Sequence, residues 1–86
     1  MTPGRPISVL YFAALRERMG LSAESVTLPA EVTNVRELAS FLEGSRPPLQ
    51  GVLRGVRFAV GDEFVELDRP LSAGDVVALI PPVSGG

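Results

Sequence analysis

The sequence predicts an α+β domain in which one main helix packs across a mixed β-sheet. Apolar residues recur at helical spacing in one long segment, and several short segments have the alternating or continuous apolar pattern of strands. A chain of 86 residues has room for one small core. A single amphipathic helix on one face of a sheet is the economical way to build such a core.

The main helix is predicted between residues 34 and 43. Asn34 is a suitable N-cap, Glu37 occupies the third helical position as in a capping box, and Gly44 can end the helix. The apolar residues at positions i, i+3, i+4 and i+7 are Val35, Leu38, Ala39 and Leu42. They form one face, which we expect to cover the sheet. A short first helix is predicted from Ala13 to Met19, ended by Gly20.

Five segments predict strands. They are residues 7–12, 25–28, 56–60, 63–67 and 76–80. The last segment is apolar throughout, as in a central buried strand. Gly61-Asp62 separates the third and fourth segments, and Gly at the first central position suits a type II′ hairpin turn.

The order of these elements predicts a specific topology. The helix and the hairpin provide the long connection that the first and last strands need to lie parallel in the centre of the sheet. Residues 45–55, which contain Pro47-Pro48, are expected to form a loop with one turn around Leu49 to Leu53. The resulting arrangement is the β-grasp. We expect one domain, residues 1–86, in which residues 81–86 form a flexible C-terminal tail.

Composition excludes several kinds of chemistry. The chain has neither Cys nor His, so thiol nucleophiles, imidazole bases and the usual zinc ligands are missing. The carboxylates near the hairpin match no metal-binding spacing. We therefore expect no bound metal or cofactor and no catalysis by the chain alone. A net charge of −2 argues against nucleic acid or anionic membrane as a partner. No apolar run suits a signal peptide or a membrane span, so we expect a cytoplasmic location.

The C-terminal segment is the remaining candidate for function. Pro81-Pro82 ends the last strand and stiffens an extended tail, which reaches about 18 to 20 Å over six residues. Gly85 and Gly86 lack a Cβ and can enter a narrow channel. The terminal carboxylate becomes an electrophile once a partner converts it to a mixed anhydride. The alternative is a frayed end that performs no chemistry.

A second candidate is the face of the sheet that points away from the helix. Strand alternation places Leu10, Phe12, Ala78 and Ile80 there. An apolar group on an uncovered face is typical of a docking surface. The alternative is that the 45–55 loop or a second copy of the chain covers it.

Two stretches resemble the molybdopterin synthase small subunit family, which has a ubiquitin-like β-grasp fold. Residues 9–17, VLYFAALRE, are similar to its opening, and residues 71–86, LSAGDVVALIPPVSGG, to its closing motif. The resemblance runs from about Ile7 to Gly86 and is most specific at the C-terminal end. It implies a sulfur carrier in molybdenum cofactor biosynthesis.

The resemblance also implies a sequence of partners. An E1-like enzyme that uses ATP would adenylate Gly86, and a sulfurtransferase system would convert the adenylate to a thiocarboxylate. The large subunit of molybdopterin synthase would take this sulfur to build the dithiolene, with the tail inserted into its active site. The implied contact residues are Phe12, Phe64 and Ile80 at the interface and Pro81, Pro82, Val83 and Ser84 in the tail.

Other functions remain open at this point. Related carriers for thiamine, cysteine or tRNA thiolation share the fold and the terminal Gly-Gly. Attachment to proteins in the manner of ubiquitin is a further possibility. The alternative from a different class is a binding module whose tail does no chemistry.

Overall fold

The computed structural model describes residues 4–82 as a five-stranded sheet with one long helix across one face. The strands are β1 (Arg5–Tyr11), β2 (Ala23–Leu28), β3 (Arg57–Val60), β4 (Glu63–Val65) and β5 (Val76–Ile80). The helices are α1 (Ala13–Met19) and α2 (Val35–Ser45), followed by a 3₁₀ turn over Pro47–Leu49. None of the helices described is both long and apolar enough to cross a membrane.

The sheet has the predicted mixed topology, with strand order β2-β1-β5-β3-β4. The central strands β1 and β5 run parallel, with Val9 opposite Val77, and all other neighbouring pairs are antiparallel. The connection between β1 and β5 contains β2, α2 and the β3–β4 hairpin. This confirms the β-grasp prediction.

The start of α2 follows the predicted cap with one difference. The side chain of Asn34 accepts a hydrogen bond of 2.9 Å from the Glu37 N–H, as expected for an N-cap. The Glu37 carboxylate accepts from the N–H and hydroxyl of Thr33, at 2.6 and 2.7 Å. In a standard capping box it would accept from Asn34 instead. These bonds to Thr33 lower the pKa of Glu37.

The predicted end of α2 at Gly44 is wrong. Gly44 remains helical and the helix continues to Ser45. Arg46 is the extended residue that ends it, with φ −128° and ψ 97°. The physical reason is Pro47, because a residue that precedes proline is disfavoured in the helical region.

The hairpin turn also differs from its prediction. Gly61 and Asp62 both have positive φ, 57° and 74°. Positive φ at both central residues defines type I′, so the predicted type II′ is wrong. Asp tolerates the left-handed region better than most residues, and the type I′ turn matches the twist of the strands.

The core lies between α2 and the sheet. Val35, Leu38 and Leu42 of α2 are fully buried. They belong to one cluster with the inward-facing strand residues, which include Ile7, Val9, Tyr11, Val77 and Leu79. The alternation predicted for β1 and the burial predicted for α2 are confirmed.

The 45–55 segment contributes to the same core. Leu49 is fully buried and Leu53 is 7% exposed, and both belong to the core cluster. The 3₁₀ turn Pro47–Leu49 contacts α1 and α2. The segment therefore packs on the helix side of the sheet, which rules out the alternative that it covers the opposite face.

A polar network connects the end of α2 to β1 and β2. Glu24 accepts from the Tyr11 hydroxyl at 2.5 Å and from Nε and Nη2 of Arg46 at 3.0 and 2.9 Å. The hydrogen bonds from Arg46 lower the pKa of Glu24. Burial, assisted by Glu24, raises the pKa of Tyr11. The network fixes Arg46 at the point where the chain leaves the helix.

We expect Leu38→Ala to lower the free energy of unfolding by about 2 to 5 kcal/mol, because it leaves a cavity at the centre of the helix–sheet contact. Urea unfolding of the variant and the wild type measures the difference. Ser40→Ala, on the exposed side of α2, is the control. A loss below about 1 kcal/mol would contradict the central position of Leu38.

Glu24 should make part of the stability dependent on pH. Its pKa is lowered in the folded state, so its contribution is complete above the ordinary value of 4.5 and is lost as the pH falls through the folded value. We expect Glu24→Gln to reduce the loss of unfolding free energy between about pH 6 and about pH 3. Urea unfolding over this range tests it, with Glu17→Gln on the exposed face of α1 as control. If Glu24→Gln and the wild type show the same pH dependence of unfolding free energy, ionisation of Glu24 does not contribute to stability.

Candidate functional site

The sheet face opposite α2 carries an apolar groove of about 430 Å³, here called the outer groove. It is lined by Leu10, Phe12, Ala59, Gly61, Asp62, Phe64, Val76, Ala78 and Ile80. Strand alternation explains the six lining residues that lie in strands, because neighbours such as Val9, Phe58, Val77 and Leu79 form the core on the other face. The predicted outward position of Leu10, Phe12, Ala78 and Ile80 is confirmed.

Phe12 lies at one rim of the outer groove. The strand predicted for residues 7–12 ends one residue earlier, at Tyr11, and Phe12 is the extended N-cap of α1. Its carbonyl accepts a hydrogen bond of 3.0 Å from the Leu15 N–H. The side chain is 44% exposed, so the start of α1 holds a large apolar ring at the surface.

Phe64 lies at the opposite rim and is 56% exposed. The guanidinium carbon of Arg57 lies 3.9 Å from the centre of its ring, a close cation–π contact. Arg57 is paired with Ile80 in the register of β3 and β5. The contact therefore connects the Phe64 rim to the residue at which β5 ends.

The tail begins at the groove. Ile80 is both the last residue of β5 and a lining residue, and Pro81 and Pro82 follow it directly, half-buried and exposed respectively. The tail residues Val83, Ser84, Gly85 and Gly86 lie outside the described residues. The extended tail of residues 81–86 therefore stays a prediction.

Ionisable groups are sparse in the outer groove. Asp62 is the single charged lining residue. Glu24 and Tyr11, whose pKa values are shifted, lie on the helix side of the sheet. Residues 4–82 contain no group of three or more Asp, Glu, His or Cys that could hold a metal ion. The groove is thus suited to binding an apolar surface.

Sequence reasoning missed two strand residues of the groove, and it did not assign the turn residues Gly61 and Asp62 to the groove. Val76, which is 41% exposed, shares the alternation of Ala78 and Ile80 and could have been included by the same argument. Ala59 could not, because its position beside Ala78 follows from the register of β3 against β5. Phe64 was identified through the family resemblance, and the structure places it at the rim.

The comparison with protein families decides the family. Residues 9–86 match the family model described as ThiS family. The chain belongs to the ThiS family. Among its relatives is the human (Homo sapiens) molybdopterin synthase sulfur carrier subunit, 38% identical over 89 residues, with 100% of both chains covered.

Solved structures agree with the ThiS family fold. The small archaeal modifier protein 1 of H. volcanii superimposes with a TM-score of 0.77 at 27% identity, covering 93% of this chain and 100% of that one. Another is in a complex of subunits 1 and 2 of the molybdopterin-converting factor from Helicobacter pylori 26695. Its TM-score is 0.68 at 26% identity, with 94% of this chain and 99% of that chain covered.

Proposed function

We propose that this ThiS family chain is the sulfur carrier subunit of a molybdopterin synthase, with the Gly86 carboxylate as the group that carries sulfur. The observation that supports this most is the continuity of the outer groove with the start of the tail at Ile80 and Pro81. A partner that binds the groove is positioned to receive the residues that follow. The human relative named as a molybdopterin synthase sulfur carrier subunit supports the same function.

The proposed chemistry takes place entirely at the C-terminus. An oxygen of the Gly86 carboxylate attacks the α-phosphorus of ATP on an E1-like enzyme, which forms an acyl-adenylate and releases pyrophosphate. The terminal sulfur of a sulfurtransferase persulfide then attacks the acyl carbon and displaces AMP. A thiol reduces the S–S bond of the resulting acyl disulfide and becomes part of a new disulfide, which releases the thiocarboxylate. The chain supplies the acyl group, ATP is used by the activating enzyme, and this chain itself holds no cofactor.

The large subunit is the proposed acceptor of the sulfur. The thiocarboxylate sulfur attacks the substrate bound there, and water cleaves the acyl–sulfur bond and restores the Gly86 carboxylate. This sulfur contributes to the dithiolene of molybdopterin in molybdenum cofactor biosynthesis, which we place in the cytoplasm. The complex of subunits 1 and 2 from H. pylori supports this choice of partner.

The proposed contacts come from two parts of the chain, the outer groove and the tail. Phe12, Phe64 and Ile80 bind the large subunit from the outer groove, where the first two are the most exposed aromatic residues of the described chain. Pro81, Pro82, Val83 and Ser84 lead Gly85 and Gly86 into the partner's active site. Two consecutive prolines reduce the entropy that the tail loses on insertion.

A protein modifier is the second candidate, because one structural relative is a small archaeal modifier protein. Activation at Gly86 would be the same, and the acceptor would be an amine of another protein. Carriage of sulfur for tRNA thiolation, cysteine or thiamine would likewise share the activation step. Product analysis after loading separates these functions, whereas a binding module would not be loaded at all.

Deletion of Gly86 should abolish loading and leave the fold intact. After incubation with the E1-like enzyme, ATP and a sulfur source, intact mass should show replacement of one oxygen by sulfur in the wild type and no change in the deletion variant. A chain with one alanine appended after Gly86 should also fail, because its terminal carboxylate is displaced. A chain with one alanine added before Met1 is the matched control.

Molybdopterin formation by the Gly86-deleted chain would refute the proposed function. Failure of the wild type to be adenylated by any E1-like enzyme of its own cell would refute it equally. Loading followed by transfer to tRNA, cysteine, thiamine or protein would preserve the carrier chemistry and change only the pathway.

Phe12→Asp and Ile80→Asp should weaken binding to the large subunit about tenfold or more, since each places a charge in an apolar interface. Calorimetric titration measures the affinity, and thermal unfolding checks that the domain stays folded. Leu21→Asp is the matched control, because Leu21 is an exposed apolar residue outside the groove. Unchanged affinity in both groove variants would place the interface elsewhere.

A further inference from the structure

The floor of the outer groove has an unusual distribution of side-chain size. Leu10, Ala78, Ala59 and Phe64 are neighbours across β1, β5, β3 and β4, so they form one row perpendicular to the strands. Neighbouring strands are about 4.8 Å apart, which separates the two ends of the row by about 14 Å. The row has large side chains at its two ends, Leu10 and Phe64, and only the two alanine methyl groups between them.

Ala59 is shielded from solvent by the larger side chains around it. Ala59 lies on the outer face and is not part of the core cluster, yet it is only 8% exposed. Its neighbour Phe64 is 56% exposed. Stacking of Arg57 on the Phe64 ring, at 3.9 Å, restricts the rotation of that ring and keeps the wall in place.

The other sides of this depression are also defined. Phe12 and Ile80 close it at the end where the tail leaves, and Val76 lies at the opposite end. Gly61 and Asp62 of the β3–β4 turn line the remaining corner. A flat partner surface laid across these walls would leave the two alanine methyl groups without contacts, which loses dispersion energy.

We propose that the alanine pair Ala59 and Ala78 is the floor of a socket for one protruding apolar side chain of the large subunit. The socket rests on the proposed function and adds a specificity element to it. The lining is apolar except for Asp62, so the inserted group is aliphatic or aromatic. Its insertion beside Ile80 fixes the position of the partner relative to the first residues of the tail.

The proposal can be tested by whether a larger side chain at position 78 raises or lowers the affinity for the large subunit. Ala78→Leu adds apolar area to the outer face, so it would leave affinity unchanged or raise it if the groove were a simple hydrophobic patch. If the groove is a socket, the added side chain fills it and excludes the partner. We expect Ala78→Leu and Ala59→Leu to weaken binding to the large subunit about tenfold or more.

The matched control is Ser25→Leu. Ser25 is exposed on the outer face of β2 and does not line the groove, so it adds similar apolar area on the same face. Calorimetric titration with the large subunit from the same cell measures affinity, and thermal unfolding checks each variant. If Ala59→Leu does not fold, Ala78→Leu and the smaller Ala78→Val provide the measurement, because Ala78 is only half-buried.

The outcomes separate the socket from the proposed function. Weaker binding by Ala78→Leu together with unchanged binding by Ser25→Leu supports the socket. Equal or tighter binding by Ala78→Leu overturns it, while wild-type binding and sulfur loading at Gly86 leave the sulfur carrier function standing. A wild-type chain that is loaded with sulfur and does not bind the large subunit overturns both the socket and the synthase assignment.

Discussion

The parallel pairing of β1 with β5 is the constraint on which the rest of the structure depends. It brings the first and last strands together at the centre of the sheet, with Val9 beside Val77 on one face and Leu10 beside Ala78 on the other. The first pair is fully buried and lies in one core cluster with α2. The second pair forms part of the outer groove. One register therefore sets both the core and the candidate docking surface.

The same pairing determines where the chain leaves the sheet. Because β5 is a central strand and ends at Ile80, the tail starts at one end of the apolar face, between β1 and β3. A terminus that followed an edge strand would start from the side of the domain, away from a partner bound to that face. The position of the groove and the proposed use of the C-terminus thus have a common origin in the strand order.

The two faces of the sheet also differ in their polar interactions. The Tyr11–Glu24–Arg46 network lies on the helix side and stabilises the end of α2. Asp62 is the one charged residue that lines the groove. Removing an apolar face from water is favourable, whereas burying unpaired charges is costly, so this division suits a face that is covered by a partner.

The sequence by itself determined the element types, the faces of the strands and the burial of α2, and it contains neither Cys nor His. These follow from local periodicity and residue chemistry, which need no knowledge of distant contacts. Gly44 and the Gly61-Asp62 turn were predicted incorrectly in detail, because proline at 47 and the twist of the paired strands outweigh the preference of a single glycine. The tertiary structure decided that Leu49 and Leu53 belong to the core, since nothing local separates a buried loop residue from an exposed one. It also decided the groove floor, because Ala59 and Ala78 meet only through the register of two strands distant in sequence.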